Sequence, residues 1–313
     1  MKLAFTSCLD TVNDPVQPGW INLVAKAPEH LVLLGDSIYM DYGLGNHPPN
    51  GSPYGEPLDK FSRMMHAAYA AQWQVQNFQN AIRKPKVHAI WDDHDFAWNN
   101  ARGGGVEEGK DHVASAYRRL SRMHFETFRA ALDMKPAVYP GNEFASGTVN
   151  HDAGTIAQTF ELAPGVVLHL IDARSFREEE GDTSLLGREQ REQLERALQA
   201  NAHGVNVMAS SSTVKGWKRY DQDYDWLRDM ATKHKILVLS GDIHEPDFRA
   251  RGRLYEVTAS AMAQPPGITT IFGKKTQVFG LLTIGQDQLR VEVFVGTKQV
   301  EDHTIQRGDW SVA

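Results

Sequence analysis

The sequence predicts a layered α/β fold, and three observations carry that expectation. Short apolar runs alternate with longer stretches of helical periodicity. The apolar runs end abruptly in polar side chains, as strands do at the ligand-binding edge of an α/β sheet. A late hairpin pattern adds antiparallel strands to the sheets. No linker-like change of composition divides the chain, so one domain over residues 1–313 is expected.

Lys2–Cys8 reads as a strand, and Asn13–Pro28 is Pro-rich and helix-poor. His30–Gly35 is an apolar run closing on Gly-Asp, a buried-strand signature. Residues 43–57 are rich in Gly and Pro; a loop this long points to function rather than mere connection. Phe61–Arg83 carries apolar residues at helical spacing and stops before Pro85. Val87–Trp91 is a strand running into Asp-Asp-His-Asp, Ala101–Gly109 a Gly-rich mobile loop, and His112–Ala131 a helix. Thr148–Asn150 and Thr155–Leu162 read as strands around a turn, and Val166–Ile171 as a strand ending in Asp172-Ala173-Arg174. Helices at Gln190–Ala200 and Asp223–Lys233 flank the strand Val205–Ala209, which runs into three serines. Lys235–Leu239 and Leu254–Ser260 are strands, and Val278–Ile284 with Leu289–Val295 form the hairpin around residues 285–288.

Composition narrows the function. Apolar residues make up 41% and charged residues 23%, a globular balance. Thirty-three basic against 39 acidic residues give a net charge of −6, which argues against an extended nucleic-acid surface. One cysteine excludes an internal disulfide and a thiolate-cluster zinc site, although it can serve as one ligand among others. No apolar run is long enough for a membrane span, and the first residues lead straight into a strand rather than a signal peptide. A cytoplasmic location is therefore expected.

The strand ends are the informative feature. Cys8 and Asp10, Asp36 and Tyr39, the run Asp92 to Asp95, Asp172, and Asp242 with His244 all stand there. Many carboxylates brought to one edge repel one another and resist ionisation unless cations sit between them. Asp242 and His244 are two apart, so in extended geometry both point to one side. Ordinary roles compete for single residues: Cys8 as a small buried apolar residue, Asp10 as a turn former, Tyr39 as amphipathic core. His88, inside a strand, reads as packed. Ser210–Ser212 lacks a nucleophile-elbow pattern and suits a cap or loop better than a nucleophile. Trp98, Trp217, Tyr220 and Tyr224 suit either stacking on a base or aromatic alcohol, or packing.

These stretches resemble the alkaline phosphatase D (PhoD-like) branch of the calcineurin-like metallophosphoesterases. The matching pieces are Ser7-Cys8, Leu34-Gly35-Asp36-Ser37-Ile38-Tyr39, Ile90-Trp91-Asp92-Asp93-His94-Asp95, Asp172-Ala173-Arg174, Leu185-Leu186-Gly187-Arg188-Glu189-Gln190, Ser210-Ser211-Ser212 and Ser240-Gly241-Asp242-Ile243-His244. Each is weak or moderate alone; the ordered set is specific. The resemblance implies a four-layer α/β/β/α sandwich with mixed sheets and a two-metal site at one sheet edge. In it Asp36 would bridge both metals. Cys8, Tyr39 and His244 would complete the first site around Fe3+, with Asp10 replacing or assisting Cys8. Asp93 and Asp242 would hold a divalent ion, Ca2+, Mg2+, Mn2+ or Zn2+. His94 would sit beside the substrate phosphate, and Arg174 would lie near the pocket as an anion contact.

The implied activity is hydrolysis of a small-molecule phosphate monoester or diester by a metal-bound hydroxide, with no membrane partner. The competing reading is a metal-stabilised protein that binds phosphate or nucleotide without turnover.

Overall fold

The computed structural model describes residues 1–41, 56–107, 111–142, 154–263 and 276–312. The expected strand Thr148–Asn150, most of the loop at 43–57 and the end of the loop Ala101–Gly109 lie outside them.

The chain starts with β1 (Lys2–Thr6), α1 (Gly19–Val24), β2 (His30–Leu34), α2 (Leu58–Gln74), α3 (Gln76–Ile82) and β3 (Lys86–Ile90). It continues through α4 (Asp93–Phe96), α5 (Ser115–Met134), β4 (Gln158–Ala163), β5 (Val166–Leu170), α6 (Arg188–Ala200), β6 (Val205–Ser210) and α7 (Val214–Trp217). Then come α8 (Asp221–Lys233), β7 (Lys235–Ser240), β8 (Pro246–Arg251), β9 (Leu254–Ala259), β10 (Val278–Ile284), β11 (Gln288–Val295) and β12 (Lys298–Gln306).

The strands form two six-stranded mixed sheets, in the orders β12-β11-β10-β1-β2-β3 and β4-β5-β6-β7-β9-β8. In the first, β1, β2 and β3 run parallel and β10 to β12 are antiparallel additions. In the second, β5, β6, β7 and β9 are parallel and β4 and β8 are antiparallel edges. Strand β7 shows why the layers stack as they do. Leu237 and Leu239 join the core shared with the first sheet, whereas Ile236 and Val238 face Leu194, Leu198, Trp217 and Leu227 of α6 to α8. Alternate side chains point to opposite faces of a strand, so one apolar run serves both a sheet–sheet and a sheet–helix interface. Trp20, Phe61, Tyr69 and Phe128 from α1, α2 and α5 belong to the core of the first sheet.

The differences from expectation have local causes. The Pro-rich segment holds a short helix, α1: Pro18 precedes it with φ −66°, already helical. Trp20 is buried there, and its indole N–H donates to Gln17 at 2.7 Å. The helix expected over Phe61–Arg83 breaks at Val75, whose backbone is extended, giving α2 and α3. Strands β8 and β12 are edge strands with polar sequences, so they carry little apolar signal; Pro246 opens β8, where an edge tolerates a missing donor.

Register levels the strand ends that matter. Leu34 pairs with Ile90, Ser210 with Ser240, and Ser240 with Thr258. The segments leaving β1, β2, β3, β6, β7 and β9 therefore emerge along one edge. Gly35 has φ +99°, and a Cβ there would meet Asp92 Cβ at 2.6 Å and its backbone nitrogen at 2.8 Å. Gly241 brings the second sheet against the first: a Cβ there would meet Ser7 Oγ at 2.7 Å. Among the described residues, no helix is long and apolar enough to cross a membrane.

Candidate metal centre

Ligand atoms of Asp36, Asp93 and His94 all lie within 4.8 Å of one another at this edge, and all three residues are buried. Asp36 follows β2 and is only 3% exposed. Its Oδ2 is 3.5 Å from Cys8 Sγ and accepts from the Tyr39 hydroxyl at 3.3 Å. Its Oδ1 is buried with no hydrogen-bond partner. Cys8 is fixed by its backbone, which donates to Gly35 O at 3.2 Å and accepts from Ala263 N at 3.0 Å. Its sulfur is also 3.2 Å from Ser260 Oγ, and Ser260 Oγ accepts from His244 N at 3.2 Å. The chain Cys8–Ser260–His244 thus ties the end of β1 to the loop after β7. Cys8, Asp36, Asp242 and His244 all have φ between +52° and +69°. Non-glycine residues adopt that conformation rarely, and such strain concentrates at functional sites.

The four residues after β3 divide their work. Asp92 accepts from Arg174 Nε at 2.6 Å and Nη2 at 2.5 Å, and with Asp95 forms a reciprocal cap on α4. Asp93 turns into the cluster, where its Oδ2 accepts from Asn100 N at 2.7 Å and lies 3.6 Å from Arg174 Nη2. His94 places Nδ1 2.6 Å from Asp41 Oδ1, and Asp41 Oδ2 accepts from Asn99 N at 3.0 Å. Asp95 accepts from Ser37 N at 3.0 Å, Asp92 N at 3.1 Å and the Tyr69 hydroxyl at 3.1 Å, clamping the β2 exit to the β3 exit.

Charge is unevenly distributed. Burial, and then the charges of Asp93, Asp92 and Asp95, push the Asp36 carboxyl well above the usual range against the pull of His94. Burial, and then Asp36, raise the Cys8 thiol despite hydrogen bonds from Ser260, Ser7 and Tyr39. Burial opposes ionisation of Asp93 too, yet Arg174, His94 and Asn100 hold it far below its ordinary value. For His94 burial favours the neutral ring, but Asp41, Asp93 and Asp36 outweigh it and hold the imidazole protonated well above 6.5. Asp242 keeps solvent exposure as a residue, while crowding of its carboxyl and the charges of Asp92 and Asp93 push it up to about 7.

A metal fits this donor set. A thiol, a phenol, an imidazole and carboxylates converge, and burial and mutual repulsion keep Cys8 and Asp36 from ionising. A cation reverses both effects and gives the orphaned Asp36 Oδ1 a partner.

Other expected residues stand elsewhere. Asp10 is fully buried, but its carboxylate accepts from Asn13 N at 3.1 Å and Asn13 Nδ2 at 2.8 Å, the hydrogen bonding of a turn. Arg174 is 2% exposed and its guanidinium is bound to Asp92 and to Ala101 O at 3.2 Å, so it braces the acids rather than opening onto a pocket. Asp172 accepts from the Trp91 indole at 2.8 Å, Ile156 N at 3.0 Å and Ser175 N at 3.0 Å and is a structural knot. Trp217 and Tyr220 are core residues of the layer formed by α6 to α8. His88 packs as expected, 3.2 Å from His30 and tilted against Phe160. Ser210 Oγ donates to Ser212 O at 2.7 Å and accepts from the Trp217 indole. Asp41 is the residue that sequence reasoning missed. It comes after Tyr39 and Met40, outside any strand-end pattern, and meets His94 only in three dimensions.

The model of the PhoD-like phosphatase family matches residues 3–262. The chain belongs to the PhoD-like phosphatase family. At the level of that family it is a hydrolase of the metallophosphoesterase type. A solved structure of PhoD overlaps it with a TM-score of 0.70 at 14% identity, covering 100% of this chain and 71% of that one, which shows the shared two-sheet sandwich. GAP50, the anchor in the inner membrane complex of Plasmodium, overlaps at 0.47 with 8% identity (97% of this chain, 88% of that one). The protein TT1561 of Thermus thermophilus overlaps at 0.43 with 10% identity (90% and 93%). No curated protein matches in sequence. In this PhoD-like chain the matched residues include Cys8, Asp36, Asp93, His94 and Ser260.

Proposed function

We propose that this PhoD-like chain hydrolyses phosphate esters, monoesters or diesters, with two cations held along the cleft. One is Fe3+, on the side of Cys8, Tyr39 and His244. The other is a divalent ion, Ca2+, Mg2+, Mn2+ or Zn2+, on the side of Asp93 and Asp242. Asp36 is shared by both. The single observation that carries this reading is the Asp36 carboxylate: Oδ2 faces Cys8 and Tyr39, while Oδ1 is buried without a partner. A carboxylate with one oxygen engaged and the other still unpartnered has the spare donor that a bridging role requires.

Bound cations would neutralise phosphate oxygens and raise the acidity of water at the site. The protein's own groups do the rest. Asp92 and Arg174 hold Asp93 in place from behind. With Nδ1 committed to Asp41, the chemistry of His94 falls to Nε2. A protonated ring there stabilises charge on the phosphate and donates a proton to the leaving oxygen. The Asp41–His94 pair favours hydrolysis over binding without turnover, since passive phosphate binding needs no oriented proton donor.

The deciding experiment combines metal analysis of protein purified without chelator with a screen of monoesters and diesters. About two metals per chain, one of them iron, and turnover of at least one ester class are expected. Metal-free protein, or metal-replete protein that turns over neither class, would sink the reading.

A further inference from the structure

A cavity of about 600 Å³ lies between α8 and the turn that joins β8 to β9. It has no part in the metal centre. Strand β9 opens at Leu254, on the wall of this cavity, and closes at Ala259, next to the Ser260 that contacts Cys8. The two places are a strand length apart, roughly 17 Å. A volume of this size suits a small molecule. On α8, Tyr224, Arg228 and Ala231 are spaced four and three residues apart, so they share one face of the helix. Opposite stand Arg251, the last residue of β8, and Leu254, which pair across the turn. Gly252 makes that turn at φ +62°, and a Cβ on it would meet no atom within 4 Å, so the mouth is open there. The turn is tied down from its other side: Arg253 O accepts from the Trp310 indole at 2.7 Å, and Trp310 O accepts from the Tyr255 hydroxyl at 2.9 Å.

The floor is apolar and the charges around it do not balance. Ala231 and Leu254 are 4% and 3% exposed, and Tyr224 packs against the same core. Three guanidiniums line the cavity, those of Arg228, Arg251 and Arg253, against the two carboxylates of Asp225 and Asp229. Asp229 is paired with Lys233 at 2.6 Å. Asp225 lies 3.7 Å from Arg228. Arg251 reaches only Glu256, 3.9 Å away, and that carboxylate already accepts from Val214 N at 2.6 Å and Ser240 Oγ at 3.1 Å. Arg253 is exposed and forms no ion pair among the described residues. Arg251 and Arg253 thus bring surplus positive charge to one end of an apolar floor. Planar guanidiniums match a carboxylate, and the Tyr224 ring offers a face for an aromatic body. Asp225 remains at the rim, so a single negative charge suits the site better than a dianionic phosphate.

We propose that this cavity is a second binding site, for a small aromatic carboxylate. The aromatic body lies on Leu254, Ala231 and Tyr224, and Arg251 and Arg253 hold the carboxylate. The site is separate from the metal edge, needs no cation, and stands or falls independently of the phosphate-ester reading.

The test uses 2-naphthoate and its neutral counterpart 2-naphthamide, which share one ring system and carry no phosphate ester. Calorimetry on protein purified without chelator measures both. The wild type is expected to bind 2-naphthoate about tenfold more tightly than the amide. The double variant Arg251→Gln, Arg253→Gln is expected to bind the two alike, with its affinity for 2-naphthamide unchanged. A wild type without preference, or a double variant that keeps it, overturns the proposal. Asp36→Asn, altered at the metal edge, must retain the wild-type preference; losing it would place the naphthoate on the metals and overturn the proposal as well. Should the double variant not fold, Arg253→Gln, at the exposed turn, must narrow the preference by itself; an unchanged preference there overturns the proposal.

Discussion

His94 and Asp41 form a buried pair, Nδ1 to Oδ1 at 2.6 Å, across 53 residues of sequence. Asp41 is also held by Asn99 N, so the carboxylate cannot swing away. The pair fixes the ring, and the Asp41 charge favours its protonated form against burial. Asp41→Asn keeps the size and removes the charge. We expect kcat to fall roughly 10²-fold, within the range for a positioned proton donor. We also expect a change of pH profile. Loss of Asp41 lowers the His94 pKa, so the limb along which activity falls as the ring deprotonates moves to lower pH. Profiles of kcat for both proteins read this directly; superimposable profiles would remove the pair from the mechanism.

Gly35 offers a structural test. Alanine at φ +99° is strained, and its Cβ would overlap Asp92 Cβ and nitrogen. Gly35→Ala should lose roughly 2–4 kcal/mol of stability from strain and overpacking. It should also weaken metal retention, because Asp36 and the Asp92–His94 turn are forced apart. Denaturant melts and metal analysis measure the two effects. A variant within about 0.5 kcal/mol of wild type, the spread of an ordinary surface change, would show that the close approach is not needed.

How much of the fold is legible in the sequence depends on where signal arises. Strands buried on both faces, such as β2 and β7, announce themselves as apolar runs, and polar residues placed directly after them mark the edge where Asp36, Asp93 and His94 meet. Edge strands β8 and β12 carry polar faces and are silent. Prolines conceal α1, because a pre-set φ suits a helix start as well as a turn. The role of Arg174 could not be read from sequence, since an arginine just after a strand-end acid suits an anion contact or a brace equally. Only its partners in the folded chain, Asp92 and Asp93, show that it braces. Asp10, Asp36 and Asp172 likewise read alike, and only the hydrogen bonds that occupy Asp10 and Asp172 in the folded chain set them apart from Asp36.

A buried histidine away from the cleft makes stability depend on pH. His124 bonds Ser62 Oγ at 2.8 Å, and burial, with His66 nearby, lowers its pKa to about 3. Its folded pKa lies below the unfolded value of about 6.5, so the folded state binds fewer protons. The stabilisation is complete above about pH 6.5 and is lost progressively as pH falls toward about 3. His124→Gln, which does not titrate, should flatten that part of the curve relative to wild type. Denaturant melts at about pH 7.5, 5.5 and 4.5 give the two slopes; parallel slopes would show that His124 titrates normally.

The most demanding prediction concerns Asp36 and Tyr39 together. Asp36 stands at φ +52° on a strand exit that is otherwise apolar and rigid. Asparagine tolerates this left-handed backbone as well as aspartate does, so Asp36→Asn removes charge with little strain. If the carboxylate is shared by two cations, the variant loses at least one of them and nearly all turnover, while its circular dichroism matches wild type. Tyr39 donates to Asp36 Oδ2 at 3.3 Å and packs against His94 with ring centroids 4.3 Å apart. An Fe3+ ion beside that phenol should give a visible charge-transfer band. Tyr39→Phe keeps the ring contact and removes the oxygen, so it should abolish the band and leave the fold intact. Asp36→Asn should weaken the band through loss of iron rather than loss of the phenol, and added iron should restore less of it than in wild type. Spectra, metal content and ester turnover on these two variants separate the outcomes. Two retained metals with near-native kcat in Asp36→Asn would end the bridging role, and an unchanged band in Tyr39→Phe would move iron away from the phenol.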